Sequence, residues 1–147
     1  MNAPDRFIVD LKAPCACGAV ELTVHGPVLS MLMCACLDCQ RSTGSGHADV
    51  AIVAAESLGV VGQAKSFARP SESGAQFTRH FCPRCGTPLY GQSSRAPALR
   101  MLPIGFFAGQ NSWFSPNQLI FARSQQEWDL IADHLPRHQT YREGGQP

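Results

Sequence analysis

The stretch Phe81-Cys82-Pro83-Arg84-Cys85-Gly86-Thr87-Pro88-Leu89 decides how this chain is read. A C-x-x-C turn points two thiolates at one ion, and the glycine after the second permits the tight backbone of a metal knuckle. Zinc takes four such ligands at tetrahedral corners, with Zn–S about 2.3 Å, so Cys82 and Cys85 read as half of a closed site. Two further clusters lie upstream, Cys15-Ala16-Cys17-Gly18 and Cys34-Ala35-Cys36-Leu37-Asp38-Cys39. Pairing with Cys36 and Cys39 would make an ordinary ribbon and leave Cys15, Cys17 and Cys34 spare. Pairing with Cys15 and Cys17 would keep Cys34, Cys36 and Cys39 together as a three-thiolate set. Spacing alone leaves both partitions open. Their chemistry differs, because four protein ligands make a structural zinc and three with an open corner make a catalytic one.

Metal rather than disulfide is the expectation for these cysteines. Residues 1–13 have Arg6 and Lys12 bracketing only Phe7–Val9, without the apolar core of a signal peptide, which points to the reducing cytoplasm. Seven cysteines would also leave a disulfide framework one over. The 147 residues suit one domain, 1–147 with its core about 15–136. The hydrophobic share of 44% against 16% charged argues against disorder. Net charge is +1 with no basic stripe, which argues against nucleic acid as a partner. No run approaches 18 apolar residues, so no membrane span is expected.

Around the cysteines the chain reads as short strands. Val20, Leu22 and Val24 alternate with Glu21 and Thr23, a half-buried pattern that Gly26-Pro27 should end. Val28–Met33 is a second apolar run. Asp49–Ala54, Phe77–Phe81, Leu89–Gln92, Leu99–Phe107 and Gln118–Ala122 are further candidates, and Arg69–Ala75 is a turn-rich connection. One helix is expected. Ser124 and Glu127 have capping-box spacing, Trp128, Ile131 and Leu135 fall on one face with Trp128 as a core anchor, and Pro136 ends the run. The class is mostly β with a short C-terminal helix.

The three cysteine motifs, in this order, resemble those of the glutathione-dependent formaldehyde-activating enzyme family. The residues that carry the likeness are Cys15-x-Cys17-Gly18, Cys34-x-Cys36-x-x-Cys39-Gln40-Arg41-Ser42-Thr43-Gly44 and Phe81–Leu89, with Pro116, Ile120 and Trp128 near the end. The resemblance implies a β-tent fold of short antiparallel sheets stapled by two zinc ions. Cys15, Cys17, Cys82 and Cys85 would hold the structural ion, and Cys34, Cys36 and Cys39 the one at the active site. It implies carbon–sulfur lyase or synthase chemistry on glutathione adducts, typified by joining glutathione to formaldehyde. Two positions depart from the family's usual pattern. Ala35 stands where His is frequent, and Gly105-Phe106-Phe107-Ala108 where Gly-Thr-Leu-Asp is frequent.

An open zinc corner would lower the pKa of a bound thiol, and the carbonyl oxygen then needs a proton donor or acceptor. His47, in a loop after Gly44-Ser45-Gly46, is the candidate, against a loop residue that is merely hydrogen-bonded. Arg41 could hold a glutathione carboxylate with its planar fork, or equally pair with Asp38 or Asp49. His80 is expected to face solvent, with His134 and His138 also at the surface. Phe106, Phe107, Trp113 and Phe114 read as core before pocket wall. Besides the enzyme, two classes stand. One is a non-catalytic zinc-stabilised module that binds a thiol or a protein. The other is a redox enzyme, which needs a lone reactive cysteine outside the metal sites.

Overall fold

Alternating buried and exposed residues build the first strand, β1 (Ile8–Pro14), where Val9, Leu11 and Ala13 point inward. The structure is a computed structural model and describes residues 7–142; residues 1–6 and 143–147 lie outside it. Next comes β2 (Glu21–Cys34), whose Leu22 and Val24 are fully buried. The sequence pattern expects Gly26-Pro27 to break this strand, yet it runs on for 14 residues. Its partners explain why. The first half of β2 pairs β1 and, on the other side, β4 (Leu58–Val61); the second half pairs β3 (Ala48–Ala54). Gly26-Pro27 therefore marks where one strand passes between two ladders, with a register shift between Val28 and Ser30.

The remaining strands are β5 (Lys65–Pro70), β6 (Gln76–Phe81), β7 (Pro88–Ser93), β8 (Leu99–Pro103) and the two-residue β9 (Leu119–Ile120). They form one sheet of order β1-β2-β3-β8-β7-β6-β5, with β4 and β9 also paired to β2. Every pairing is antiparallel except β2 with β9. Strand makes up 43% and helix 12%, so the class is mostly β as expected. The main core lies between β1, β2, β3, β7 and β8, around Leu22, Leu89, Leu102 and Phe107. No helix among the described residues is long and apolar enough to cross a membrane.

Several boundaries differ from the sequence reading. Leu99–Phe107 is strand only to Pro103, after which Ile104–Phe107 forms a 3₁₀ turn that buries Phe107. Gln118–Ala122 is strand only at Leu119–Ile120, because Phe121 takes a left-handed backbone (φ 56°). Arg69 and Pro70 belong to β5, which leaves Ser71–Gly74 as the turn. His80 is half-buried rather than solvent-facing; its ring stacks on Tyr90 at 4.2 Å and burial pushes its pKa down. His134 is exposed and His138 half-buried.

The largest correction concerns the C-terminal helix. Only a 3₁₀ turn, Ala122–Ser124, forms there, and the α-helix of the described residues is instead α1 (Leu37–Thr43). Trp128 is 66% exposed and anchors nothing, although Ile131 and Leu135 are buried beside Ala35 and Leu119. Other groups take up the backbone carbonyls that a helix would use. Arg137 donates from its guanidinium to the carbonyls of Ile131, Ala132, Asp133 and Leu135. The Ser124 carbonyl accepts from the Gln40 and Gln126 side chains. Tertiary hydrogen bonds thus outcompete a local capping signal worth about 1 kcal/mol.

These burials predict a sharp contrast. Leu89→Ala should cost about 2–5 kcal/mol of unfolding free energy, whereas Trp128→Ala should change it by about 0.5 kcal/mol or less. Urea unfolding of both variants checks this; a cost for Trp128→Ala near that for Leu89→Ala would contradict the described packing.

Candidate functional site

The turn after β1 carries Cys15 and Cys17, and the turn between β6 and β7 carries Cys82 and Cys85. Their four sulfurs converge within 4.8 Å of one another. Cys17 Sγ stands 3.7 Å from both Cys15 Sγ and Cys82 Sγ. Thiolates placed about 2.3 Å from a central zinc lie about 3.8 Å apart at tetrahedral corners, so this group fits such an ion. Both turns close on left-handed glycines, Gly18 (φ 79°) and Gly86 (φ 78°), a backbone that other residues adopt at a cost. Backbone and side-chain donors favour the charged form of Cys15 and Cys85. The Val20 N–H points at Cys15 Sγ (3.3 Å), and Thr87, through its hydroxyl 3.0 Å away and its backbone, holds Cys85 down to about 5.

A second group forms where β2 runs into α1. Cys34 ends the strand, Cys36 caps the helix and Cys39 sits in its first turn, their sulfurs also within 4.8 Å. Cys36 takes an extended backbone, and its sulfur accepts the Cys39 N–H at 3.3 Å. Hydrogen bonds from Cys34 and then Cys39, with the nearby Arg69 charge adding to them, hold Cys36 down to about 2; Cys34 is pushed up as the donor. All seven cysteines belong to these two groups, which leaves no lone thiol for the redox class.

The three-cysteine group opens on a cavity of about 330 Å³, whereas none of the four other cysteines lines it. The cavity floor is a face of the sheet, with Ile52 from β3, Met101 from β8 and Phe77 from β6. Ile52 and Met101 are direct cross-strand partners, and Gly91 pairs with Met101 on its other side. A Cβ at Gly91 would collide with the Phe77 ring, so the glycine leaves that ring its place. The opposite wall carries Ile120, Phe121 and Tyr141, the last two in an edge-to-face contact at 4.8 Å. The left-handed backbone of buried Phe121 is costly for an aromatic residue, by about 1–3 kcal/mol, and it sits on this wall.

Neither sequence candidate for catalysis lines the cavity. His47 is held between two carboxylates, with Nδ1 2.6 Å from Asp129 Oδ2 and Nε2 3.3 Å from Asp49 Oδ1. It ties the segment after Ser124 to the loop that follows α1. Burial raises the Asp49 pKa. Arg41 is largely exposed on α1, 3.8 Å from Asp38, as in its surface-bridge reading. Phe106 and Phe107 pack in the core and away from the cavity, as do Trp113 and Phe114. Ala35 is fully buried against Leu119, Ile131 and Leu135.

The residue that sequence reading missed is Arg69. Its side chain is 18% exposed, reaches Asp38 Oδ2 at 3.1 Å and lies 5.0 Å over the Phe77 ring, on the cavity wall. Only its place in a turn-rich stretch was legible, because the cavity joins strands distant in sequence. Tyr141 was missed for the same reason; it lines the cavity, and its hydroxyl accepts the Ser73 N–H at 3.2 Å.

Residues 10–124 match the model of the family described as glutathione-dependent formaldehyde-activating enzyme. The chain belongs to that family. A curated relative from Fusarium vanettenii, provisionally assigned to the same enzyme, is 26% identical over 116 residues. That match takes in 78% of this chain, which spans 62% of the relative's length. A crystal structure of a Rhodobacter sphaeroides protein superposes with a TM-score of 0.55 at 24% identity, covering 70% of this chain and 93% of that one. This last likeness speaks to the fold. Within the family the two cysteine groups account for the three spaced motifs.

His47→Ala should leave the Asp129 carboxylate, 11% exposed, without its partner and cost about 1–3 kcal/mol. Denaturant unfolding measures the loss, and an unchanged midpoint would mean that the His47–Asp129 contact holds nothing in solution.

Proposed function

We propose that this chain is a zinc-dependent carbon–sulfur lyase or synthase acting on the adduct of a thiol, glutathione by family analogy, with a small carbonyl such as formaldehyde. The observation that carries the reading is the asymmetry of the two cysteine groups. Three sulfurs open on a cavity, and four lie in tight turns away from it. Cys15, Cys17, Cys82 and Cys85 would hold a structural zinc, and Cys34, Cys36 and Cys39 a second with an open corner. Bound there, zinc supplies a Lewis acid that favours the thiolate form of a sulfur ligand.

The chain's own residues do the rest. In the synthetic direction a thiol sulfur forms a bond to the carbonyl carbon, the C=O π bond opens, and the proton lost by sulfur ends on oxygen; cleavage is the reverse. Arg69 contributes positive charge beside the cysteines, which favours the anionic sulfur. The apolar floor excludes water and strengthens these interactions. Tyr141 lines the cavity, and its hydroxyl is the group we assign to exchanging a proton with the oxygen. His47, with both ring nitrogens engaged by Asp129 and Asp49, acts in this reading on the loop and not on the substrate.

Elemental analysis of protein purified without added metal should find about two zinc ions per chain. Cys82→Ser or Cys85→Ser should unfold or aggregate the protein, because metal at a closed site is folding energy. Cys36→Ser or Cys39→Ser should lose one zinc and keep the fold by circular dichroism. Equal collapse in both sets would mean that the catalytic site is mislabelled.

Glutathione should bind with release of a proton, its affinity rising with pH until the free thiol ionises near about 8.5. S-methylglutathione, which has no thiolate form, should bind at least about tenfold more weakly. Calorimetry in buffers of different ionisation enthalpy counts the protons. Equal binding of the two compounds would favour the non-catalytic module instead.

A further inference from the structure

We infer that the adduct taken by this site joins a carboxylate-bearing thiol to a bulky apolar aldehyde rather than to formaldehyde, with Arg69 on the carboxylate and the sheet face under the aldehyde's side chain. The inference rests on the carbon–sulfur reading above and adds the substrate class. Three observations carry it.

The first is the size and lining of the cavity. Its 330 Å³ is the liquid volume of about eleven waters; a hydroxymethyl group on sulfur fills about two of them and a small carboxylate-bearing thiol such as 3-mercaptopropionate about five. What remains is bounded by Ile52, Val50, Met101, Phe77, Leu32 and Ile120. Such walls reward apolar surface on the ligand and gain nothing from one carbon with a hydroxyl.

The second is Arg69. Its Nη1 is committed to Asp38 Oδ2 (3.1 Å) and the Pro70 carbonyl (3.4 Å), while its Nε is buried and has no partner. A buried guanidinium N–H without an acceptor is unfavourable, and the Nε edge is one that guanidinium offers to a carboxylate in a two-bond pair. The third is that the other cavity cation is differently placed. Arg123 has a side chain 48% exposed, and its Nη2 alone donates to both oxygens of Glu72, at 2.5 and 2.6 Å, which leaves its other N–H groups to solvent. Among the described residues lining the cavity, Arg69 is the guanidinium with a buried donor that no acceptor meets. The step stays balanced whichever aldehyde enters: the S–C bond forms, the C=O π bond opens, the thiol proton moves to oxygen, and nothing is oxidised or reduced.

The test uses the full-length, zinc-loaded protein. Exchange NMR follows adduct formation and breakdown with glutathione, and in parallel with 3-mercaptopropionate, for formaldehyde and for phenylacetaldehyde. Phenylacetaldehyde should be accelerated at least tenfold more in kcat/KM than formaldehyde. Met101→Trp, which fills the floor, should abolish that preference. Independently of turnover, 3-phenylpropionate should raise the melting temperature and acetate should not, and Arg69→Gln should weaken 3-phenylpropionate at least tenfold. Arg69→Lys keeps the charge and should recover part of it. Acceleration of formaldehyde alone, or a melting temperature unmoved by 3-phenylpropionate, overturns this inference and leaves the carbon–sulfur reading in place. Acceleration of neither aldehyde overturns both.

Discussion

Four thiol groups drawn from two distant turns to within touching distance set the shape of this molecule. Cys17 and Cys82 are 65 positions apart in the chain, and β3 and β8 stand between their strands in the sheet, yet their sulfurs meet at 3.7 Å. The sheet has to curl until the turn after β1 closes on the turn between β6 and β7. Thiolates so close repel one another, and a divalent cation among them turns that repulsion into attraction. The curl in turn encloses the main core, since Leu22, Leu89 and Leu102 from separate strands, with Phe107 from the 3₁₀ turn after β8, fill the space between the walls.

The same curl leaves a second face of the sheet for chemistry. Ile52 and Met101 lie on it in adjoining strands with Phe77 beyond β7, whose Gly91, by its missing side chain, makes room for the Phe77 ring. Across from them the chain after β9 carries Phe121 in a strained backbone and Tyr141 from far along the sequence. Cys34, Cys36 and Cys39 stand at the edge of this cavity because β2 ends where α1 begins, and a helix start suits a sulfur that accepts a backbone N–H. The four-sulfur and three-sulfur groups are thus separated by the sheet's own geometry.

The segment after Ser124 shows how tertiary contacts overrule a local signal. Ser124 and Glu127 have the spacing of a capping box, but the stretch is held by Arg137 on four carbonyls, by Gln40 on the Ser124 carbonyl and by His47 on Asp129. These bonds link it to α1 and its following loop, which a free helix would not reach. His47, chosen from sequence for its place beside the cysteines, is occupied in this tie and not on the cavity.

What the sequence by itself determined is the local part. Strands with two-residue alternation or β-branched runs, such as Asp49–Ala54 and Phe77–Phe81, were legible because neighbouring side chains alone dictate that pattern, although β1, which alternates as cleanly, is missing from the sequence reading. So were the three cysteine motifs, since ligand spacing is a property of a few consecutive residues. The strands β4 and β5, largely exposed and without alternation, carried no such signal, and neither did the passage of β2 through Gly26-Pro27, which depends on its partners. Only the tertiary structure decided which cysteine pair joins Cys82 and Cys85 in space, and that Arg69 and Tyr141 share a cavity with Cys36. Those choices rest on contacts between residues tens of positions apart, made when the sheet curls, and no local pattern encodes the distance between them.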